Sequence, residues 1–141
     1  MMNREGKVVG FTSVVGDLFH AGHVAMIQEC RQKCDVLIVG VMAGTEDRQG
    51  KNKPCQSLFE RFYEVENCKG VDRAIAIGDE RDLELCIRTL APMIDVRFVG
   101  TDYMGKDFTA KKVCEELGIS IEYTQREHGL STEELRRRAA L

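Results

Sequence analysis

The 141-residue chain lacks several features that would place it in a specialised class of protein. It has no tryptophan, two prolines and only 6% aromatic residues. No apolar run approaches the roughly 18 residues that a membrane-spanning helix needs, and no apolar segment of the kind found in secretory signals follows Met1. We therefore expect a cytoplasmic protein with no membrane partner.

An excess of basic charge is also missing. The formal net charge is −3 and the isoelectric point is about 5.7. A general nucleic-acid binder usually presents a basic face, so the composition predicts no nucleic-acid partner. Any anion site must come from lysine, arginine and histidine residues that the fold brings together locally.

None of the six cysteines forms a C-x-x-C pair. Most fall within apolar helical patterns, where a free thiol acts as a small hydrophobic group, and a reduced compartment is the simplest explanation. Zinc ligation by Cys30, Cys34 and a histidine is conceivable, but the spacing matches no structural zinc pattern. We therefore predict no metal site formed by protein side chains.

Apolar patterns of strand and helix type alternate along the chain, whose length suits one domain over residues 1–141. Five strands are predicted at 8–13, 35–42, 72–77, 94–100 and 119–123. Five helices are predicted at 20–33, 57–68, 80–90, 108–117 and from Ser131 onward. This alternation predicts an α/β protein with a Rossmann-like, open, mostly parallel five-stranded sheet and helices on both faces.

In such sheets, ligands bind beyond the carboxyl ends of the strands, at the point where the strand order switches. Polar loops follow four of the predicted strands. These loops carry His20 and His23, then Lys51 and Lys53, then Asp102 and Lys106, and finally Arg126 with Ser131 and Thr132. We expect these segments to meet in one crevice with positive potential suited to a triphosphate.

The segment at residues 16–23 lies where the first helix begins, and a helix start offers unpaired N–H groups and a positive dipole end to phosphate. His20 and His23, spaced i and i+3, can face the same way, and Gly22 would let a bound group approach the backbone. Two alternatives stay open: a metal-binding pair, or residues that only cap the helix.

The chain contains no G-x-S-x-G elbow, Walker A motif or G-x-G-x-x-G fingerprint. Positioning and charge neutralisation are the remaining means of catalysis, and they suit phosphoryl or nucleotidyl transfer. Ordinary structural roles would also explain these candidate site residues. Lys51 and Lys53 would be loop lysines, Asp102 a turn cap, Arg61 a solvated helix residue and Arg126 a partner of Glu127.

Four motifs are distributed over nearly the whole length of the chain. They are D-L-F-H-A-G-H at 17–23, K-N-K at 51–53 with Arg61, G-T-D-Y-M-G-K at 100–106 and R-E-H-G-L-S-T at 126–132. With these motifs the chain resembles the HxGH nucleotidyltransferase superfamily, and within it the small glycerol-3-phosphate cytidylyltransferase group.

The resemblance implies that an alcohol phosphate such as glycerol 3-phosphate attacks the α-phosphorus of CTP, and that pyrophosphate leaves. The implied catalytic residues are His20, His23, Lys51 and Arg126. The implied nucleotide-binding residues are Val15, Gly16, Asp17, His20, Gly22, His23, Lys53, Asp102, Arg126, Gly129, Ser131 and Thr132. The implied substrate-binding residues are Lys51, Arg61 and Lys106. Mg²⁺ would accompany the nucleotide, and the protein would be a homodimer.

Three positions depart from the family pattern. Gly16 stands where the family usually has phenylalanine, Val14 stands where it has the turn glycine, and Glu133 stands where it often has threonine. Two alternative functions therefore stay open: an ATP-dependent adenylyltransferase acting on a sugar or coenzyme phosphate, and a nucleotide-binding relative without activity. Because the side chains of His20 and His23 should face the crevice, we expect their replacement by alanine to leave folding almost unaffected.

Overall fold

The computed structural model describes residues 6–44, 53–125 and 129–140. Strands and helices alternate throughout these segments. The strands are β1 (Val9–Val14), β2 (Val36–Met42), β3 (Arg73–Ile77), β4 (Val96–Gly100) and β5 (Ser120–Thr124). The helices are α1 (Ala21–Arg31), α2 (Leu58–Glu66), α3 (Glu80–Leu90), α4 (Lys111–Glu116) and α5 (Thr132–Ala139). A 3-10 turn at Thr101–Tyr103 follows β4 directly.

The five strands form one sheet in the order β3-β2-β1-β4-β5, and every pairing in it is parallel. The predicted open α/β fold is therefore confirmed. Chain order reverses between β1 and β4, whose register aligns Phe11 with Arg97. The carboxyl ends of these two strands are thus the switch point at which a ligand crevice is expected.

Helices cover both faces of the sheet, as predicted, and each face has its own core. Leu37, Val39 and Val41 of β2 pack with residues of α1 and α2 on one side. Ile38 and Met42 of the same strand pack with residues of α3 and α4 on the other. The near-continuous apolar run of β2 is explained by burial on both faces.

Three predicted boundaries were wrong for identifiable local reasons. Helix α1 begins at Ala21, because His20 has extended backbone angles (φ −142°, ψ −178°) and acts as the N-cap. Helix α4 begins only at Lys111, because Ala110 has a left-handed conformation (φ 64°). Strand β4 begins at Val96, because Ile94 still donates its N–H to the carbonyl of Leu90 at the end of α3.

Ser57 and Glu60 form a capping box at the start of α2. All six cysteines are free, and burial raises the pKa of the Cys30 thiol to about 12, so this residue acts as part of the core. Within the described segments, no helix has both the length and the apolar character that crossing a membrane requires.

Candidate active site

A cleft of about 680 Å³ opens at the carboxyl ends of β1, β4 and β5. Its walls come from the turn after β1, the end of β4 and the start of α5, segments far apart in sequence. The structure thus brings into one cleft nine of the residues proposed from sequence: Val15, Gly16, Asp17, His20, Gly22, His23, Asp102, Ser131 and Thr132.

The two histidines of this cleft also build the start of α1. Nδ1 of His20 accepts a hydrogen bond from the N–H of Gly22 at 2.9 Å, and Nδ1 of His23 accepts one from the N–H of His20 at 3.1 Å. A backbone N–H can only donate, so each Nδ1 must carry its lone pair. In the neutral ring the proton therefore lies on Nε2, the nitrogen that remains for a partner outside the cap.

The orientation of each ring is set by its neighbours. The ring of Phe19 stacks on that of His23 with centroids 5.1 Å apart, and the two histidine rings lie 4.1 Å apart. Nε2 of His20 is 3.3 Å from Oγ1 of Thr132, the first residue of α5. Two helix starts thus meet at His20, and both can contribute N–H groups to one anion.

This geometry corrects the expectation that replacing the histidines leaves folding almost unaffected. Both side chains are members of a capping box, in which each satisfies a backbone donor of the first helical turn. Loss of an N-cap side chain typically costs about 1 kcal/mol. The capping and cleft-facing interpretations of the histidines are therefore compatible rather than alternatives.

Gly22 has a role different from the one inferred from sequence. A Cβ atom at this position would lie 2.6 Å from Cε1 of His20 and 3.0 Å from Cβ of Leu130. The space beside the glycine is thus occupied by the histidine ring and by the segment before α5. Gly22 allows His20 to fold back over its own helix start.

Two residues of the turn between β1 and α1 have a positive φ. Gly16 has φ 73° and Leu18 has φ 50°, while Val14 is the last residue of β1. Only a glycine adopts such a φ without strain, so Gly16 supplies the conformational freedom in this turn. Val14, at the position of the family's turn glycine, needs no such freedom because it is part of a strand.

Asp17 connects three parts of the chain beneath the cleft wall. Its buried carboxylate accepts hydrogen bonds from the N–H groups of Cys55 and Gln56, both at 3.0 Å, and pairs with Arg136 at 2.7 Å. Burial alone would raise the pKa of Asp17. The two backbone hydrogen bonds and the charge of Arg136 outweigh that effect and hold the pKa below its usual value.

Sequence reasoning missed Arg136, although helical spacing contained a signal. Arg136 follows Thr132 by four residues, so both occupy one face of α5, the face that carries the proposed phosphate contact. The structure adds further lining residues to which the sequence analysis assigned no binding role: Glu80, Arg97, Tyr103, Phe108 and Glu133. Acidic and basic groups both face the cleft, so it is less uniformly cationic than the motifs suggested.

Arg61 does not line the cleft. It is 2% exposed, and one guanidinium nitrogen donates to the carbonyls of Val15 (2.8 Å) and Met42 (2.6 Å). Since these carbonyls lie at the ends of β1 and β2, Arg61 braces the cleft wall from behind. This placement corrects both the solvated-helix interpretation and the direct substrate contact.

Three further proposed residues are described but are not among those that line the cleft. Lys53, Lys106 and Gly129 are described and exposed. Lys51 and Arg126 lie outside the described residues, as do His128 and most of the loop before α2. Their roles therefore stay predictions.

An all-parallel sheet with a cleft at its switch point is typical of α/β proteins that bind a ligand beyond the carboxyl ends of their strands. The chain belongs to the cytidylyltransferase-like family, whose model matches residues 17–138. This family is part of the HxGH nucleotidyltransferase superfamily, which the motifs indicated.

Curated relatives carry the name bifunctional protein HldE. The protein from Gluconacetobacter diazotrophicus is 34% identical over 130 residues, which cover 91% of this chain and 26% of the relative. The protein from Aliarcobacter butzleri is 32% identical over 116 residues, which cover 81% of this chain and 24% of the relative. The chain thus spans about a quarter of the length of these relatives.

Solved structures share the fold. The lipopolysaccharide core biosynthesis protein from Thermoplasma volcanium matches with a TM-score of 0.66 and 24% identity, covering 85% of this chain and 96% of that one. Pantoate-beta-alanine ligase from Francisella tularensis, in complex with beta-gamma ATP and beta-alanine, matches with a TM-score of 0.59 and 12% identity, covering 94% of this chain and 69% of that one.

Proposed function

We propose that this chain transfers the adenylyl group of ATP to a sugar phosphate and releases pyrophosphate. The observation that carries the proposal is the switch-point cleft, where two histidines at one helix start face the start of a second helix. Sugar phosphate acceptors are supported by the name of the lipopolysaccharide core biosynthesis protein, since that core is built from sugars. ATP is supported by the beta-gamma ATP bound to a ligase of the same fold.

In the proposed reaction, a phosphate oxygen of the acceptor forms a bond to the α-phosphorus of ATP. The bond from that phosphorus to the bridging oxygen breaks, and pyrophosphate leaves with the electron pair. His20 and His23 would donate from Nε2 to the phosphate oxygens on which negative charge grows. Donors held in place before the reaction stabilise such charge without reorganisation.

The β- and γ-phosphates would bind at the start of α5. Ser131 caps this helix, since its hydroxyl accepts from the N–H of Glu134 at 3.1 Å, and Thr132 places its hydroxyl beside His20. Arg126, Lys51 and Lys53 would add positive charge from the neighbouring loops, in the roles that the family resemblance implies. Asp102, on the 3-10 turn that lines the cleft, would lie near the base or ribose.

Mg²⁺ would accompany the triphosphate. Among the described residues, no group of three or more His, Cys, Asp or Glu side chains could hold a metal ion. Mg²⁺ at nucleotide sites usually binds phosphate oxygens, several waters and one or two carboxylates, and we propose coordination of this kind here. The ion would neutralise charge on the leaving pyrophosphate.

CTP with glycerol 3-phosphate is the second candidate pair. The description of the matched family and the motif resemblance favour it. ATP is ranked first because the most similar curated relatives reported above carry the HldE name rather than that of an alcohol-phosphate enzyme. Substrate choice, rather than reaction type, separates the two candidates.

A pyrophosphate-release assay decides between them. ATP, CTP, GTP and UTP are each combined with sugar 1-phosphates and with glycerol 3-phosphate. We expect the highest kcat/KM for ATP with a sugar phosphate and a nucleoside diphosphate sugar as product. Preference for CTP with glycerol 3-phosphate would overturn the proposal in favour of the second candidate, and nucleotide binding without pyrophosphate release would indicate an inactive relative.

The homodimer also stays a proposal. Phe59 and Tyr63 of α2 are 75% and 59% exposed, and their rings stack with centroids 6.0 Å apart. Such an exposed aromatic pair suits a subunit contact. Light scattering of the purified chain and of a Phe59→Asp variant would test it, with a monomeric variant expected. The cytoplasmic location and the lack of a nucleic-acid partner remain sequence predictions.

A further inference from the structure

Arg97 is a buried cation in the part of the cleft that β4 forms. It lies on β4, is 5% exposed and lines the cleft together with Phe108 and Thr109. Neither the sequence motifs nor the proposed reaction gives it a role. Arginine is rarely this buried unless its charge has a partner, so its surroundings call for an explanation.

The contacts of the guanidinium within the described residues are few. One terminal nitrogen donates to the carbonyl of Thr109, and the group lies 5.1 Å from the ring centroid of Phe108. The Nε–H is buried without a hydrogen-bond partner among the described residues. Glu80 exerts a favourable but more distant attraction, and no carboxylate of the described segments forms an ion pair with Arg97.

This arrangement leaves a positive charge in a poorly solvated place with incomplete compensation. Burial lowers the pKa of Arg97, but a guanidinium remains protonated at neutral pH. A buried charge without a counter-charge is destabilising, and a ligand of opposite charge removes that cost when it binds. The planar donor fork of arginine matches the oxygens of phosphate and carboxylate groups.

We infer that Arg97 forms an oxyanion subsite that anchors the acceptor at the β4 end of the cleft. The ligand class is a phosphate monoester or a carboxylate on the sugar. Tyr103, whose ring meets that of Phe108 edge-on with centroids 6.0 Å apart, forms the wall beside it. The inference rests on the proposed function only in assigning this anion to the acceptor.

A thermal-shift titration tests the subsite without requiring turnover. The triphosphate subsite is first saturated with a non-hydrolysable ATP analogue, and inorganic phosphate or acetate is then added to the wild type, Arg97→Met and Arg97→Lys. We expect phosphate, acetate or both to raise the Tm of the wild type, and Arg97→Met to lose that rise while folding as well as the wild type. Arg97→Lys keeps the charge and should retain part of the rise. Whichever anion is effective identifies the ligand class.

Kinetics provide the second readout. Arg97→Met should raise the KM for the acceptor at least about tenfold and change the KM for ATP less than about twofold, because loss of one charge-assisted contact affects only the ligand that makes it. Arg88→Met is the matched control: this exposed arginine pairs with Glu84 on α3, far from the cleft lining, and its replacement should change neither KM.

The outcomes separate the two proposals. If no substrate pair releases pyrophosphate but the anion-dependent rise in Tm differs between wild type and Arg97→Met without nucleotide, the subsite stands and the proposed function fails. If turnover is normal and Arg97→Met keeps both the rise and the acceptor KM, the function stands and the subsite is refuted. Should Arg97→Met not fold, Arg97→Lys with an unchanged rise and KM refutes the subsite equally.

Discussion

The buried polar groups at the two ends of the cleft differ in how completely the protein supplies their hydrogen-bond partners. At the β1–α1 end, the Nδ1 atoms of both histidines accept backbone hydrogen bonds. The carboxylate of Asp17 accepts two hydrogen bonds from the backbone and one from the side chain of Arg136. At the β4 end, Arg97 is as buried as Asp17 but leaves its Nε–H without a partner among the described residues. One end is completed by the chain itself, and the other is left to be completed by a ligand.

This difference corresponds to a division of labour. Transition-state stabilisation requires donors that are already in position, and hydrogen bonds to the protein hold them there. Recognition of a particular acceptor requires a group whose cost of burial is relieved only by the correct partner. We therefore expect substitutions at the first end to lower kcat and substitutions at the second to raise the KM of one substrate.

His20 offers the largest test of the preorganised end. His20→Ala should lower turnover about 10²-fold or more, because it removes a donor aimed at the developing charge. It should also lower the free energy of unfolding by about 1 kcal/mol through loss of the N-cap. Steady-state pyrophosphate release and urea denaturation measure the two effects separately.

His20→Asn is the control that separates these roles. Asparagine is a preferred N-cap residue, so this variant should unfold like the wild type and still lose the same turnover. An asparagine variant with full activity would show that the histidine only caps the helix, and the division between the two ends would then collapse.

Gly22 tests the same end at the level of packing. Gly22→Ala places a methyl group 2.6 Å from Cε1 of His20, so the ring must leave its position over the helix start. We expect turnover to fall about tenfold, because misplacing a catalytic group by about 1 Å has large effects on rate. Stability should change by less than about 1 kcal/mol, because the preference of alanine over glycine within a helix partly offsets the loss of the His20 cap.

A neighbouring substitution controls for general effects on α1. Ala21→Ser adds one heavy atom at an exposed position of the same turn and should leave turnover unchanged. If Gly22→Ala is as active as Ala21→Ser, then the position of the His20 ring is not what limits the reaction.

The fold could be predicted from sequence because its signals are local and repeated. The apolar run of β2 and the Ser57 capping box each indicate one element, and their alternation restricts the topology to an open parallel sheet. The predicted proximity of the strand ends was enough to predict that His20 and Thr132 lie close together.

The failures arise where the partner of a side chain comes from a distant segment. Arg61 has the helical spacing of a surface residue, and only the positions of Val15 and Met42 turn it into an internal brace. Arg97 lies within an apolar run, and its buried environment depends on the loop that carries Phe108 and Thr109. No sequence pattern reports such contacts.

The smallest effects on turnover are expected at the ion pair between Asp17 and Arg136. Arg136→Met should lower the free energy of unfolding by about 1–3 kcal/mol, because Asp17 would keep a buried charge without its partner, and turnover should fall only a few-fold. Arg137→Ala, one residue away on α5, breaks an exposed pair with Glu134 and should produce no measurable change in unfolding.

The pH dependence of the unfolding free energy tests whether the charge of Asp17 is responsible for the stabilisation. The pKa of Asp17 is lowered in the folded state, so its contribution is fully present above the unfolded value of about 3.9 and disappears as the pH falls through the lower folded value. The difference in unfolding free energy between wild type and Asp17→Asn should therefore be constant between about pH 6 and 7 and shrink below about pH 4. Urea denaturation across that range measures it. A difference that stays constant down to the acid limit would mean that hydrogen-bond geometry, and not the charge of Asp17, connects α5 to the catalytic turn.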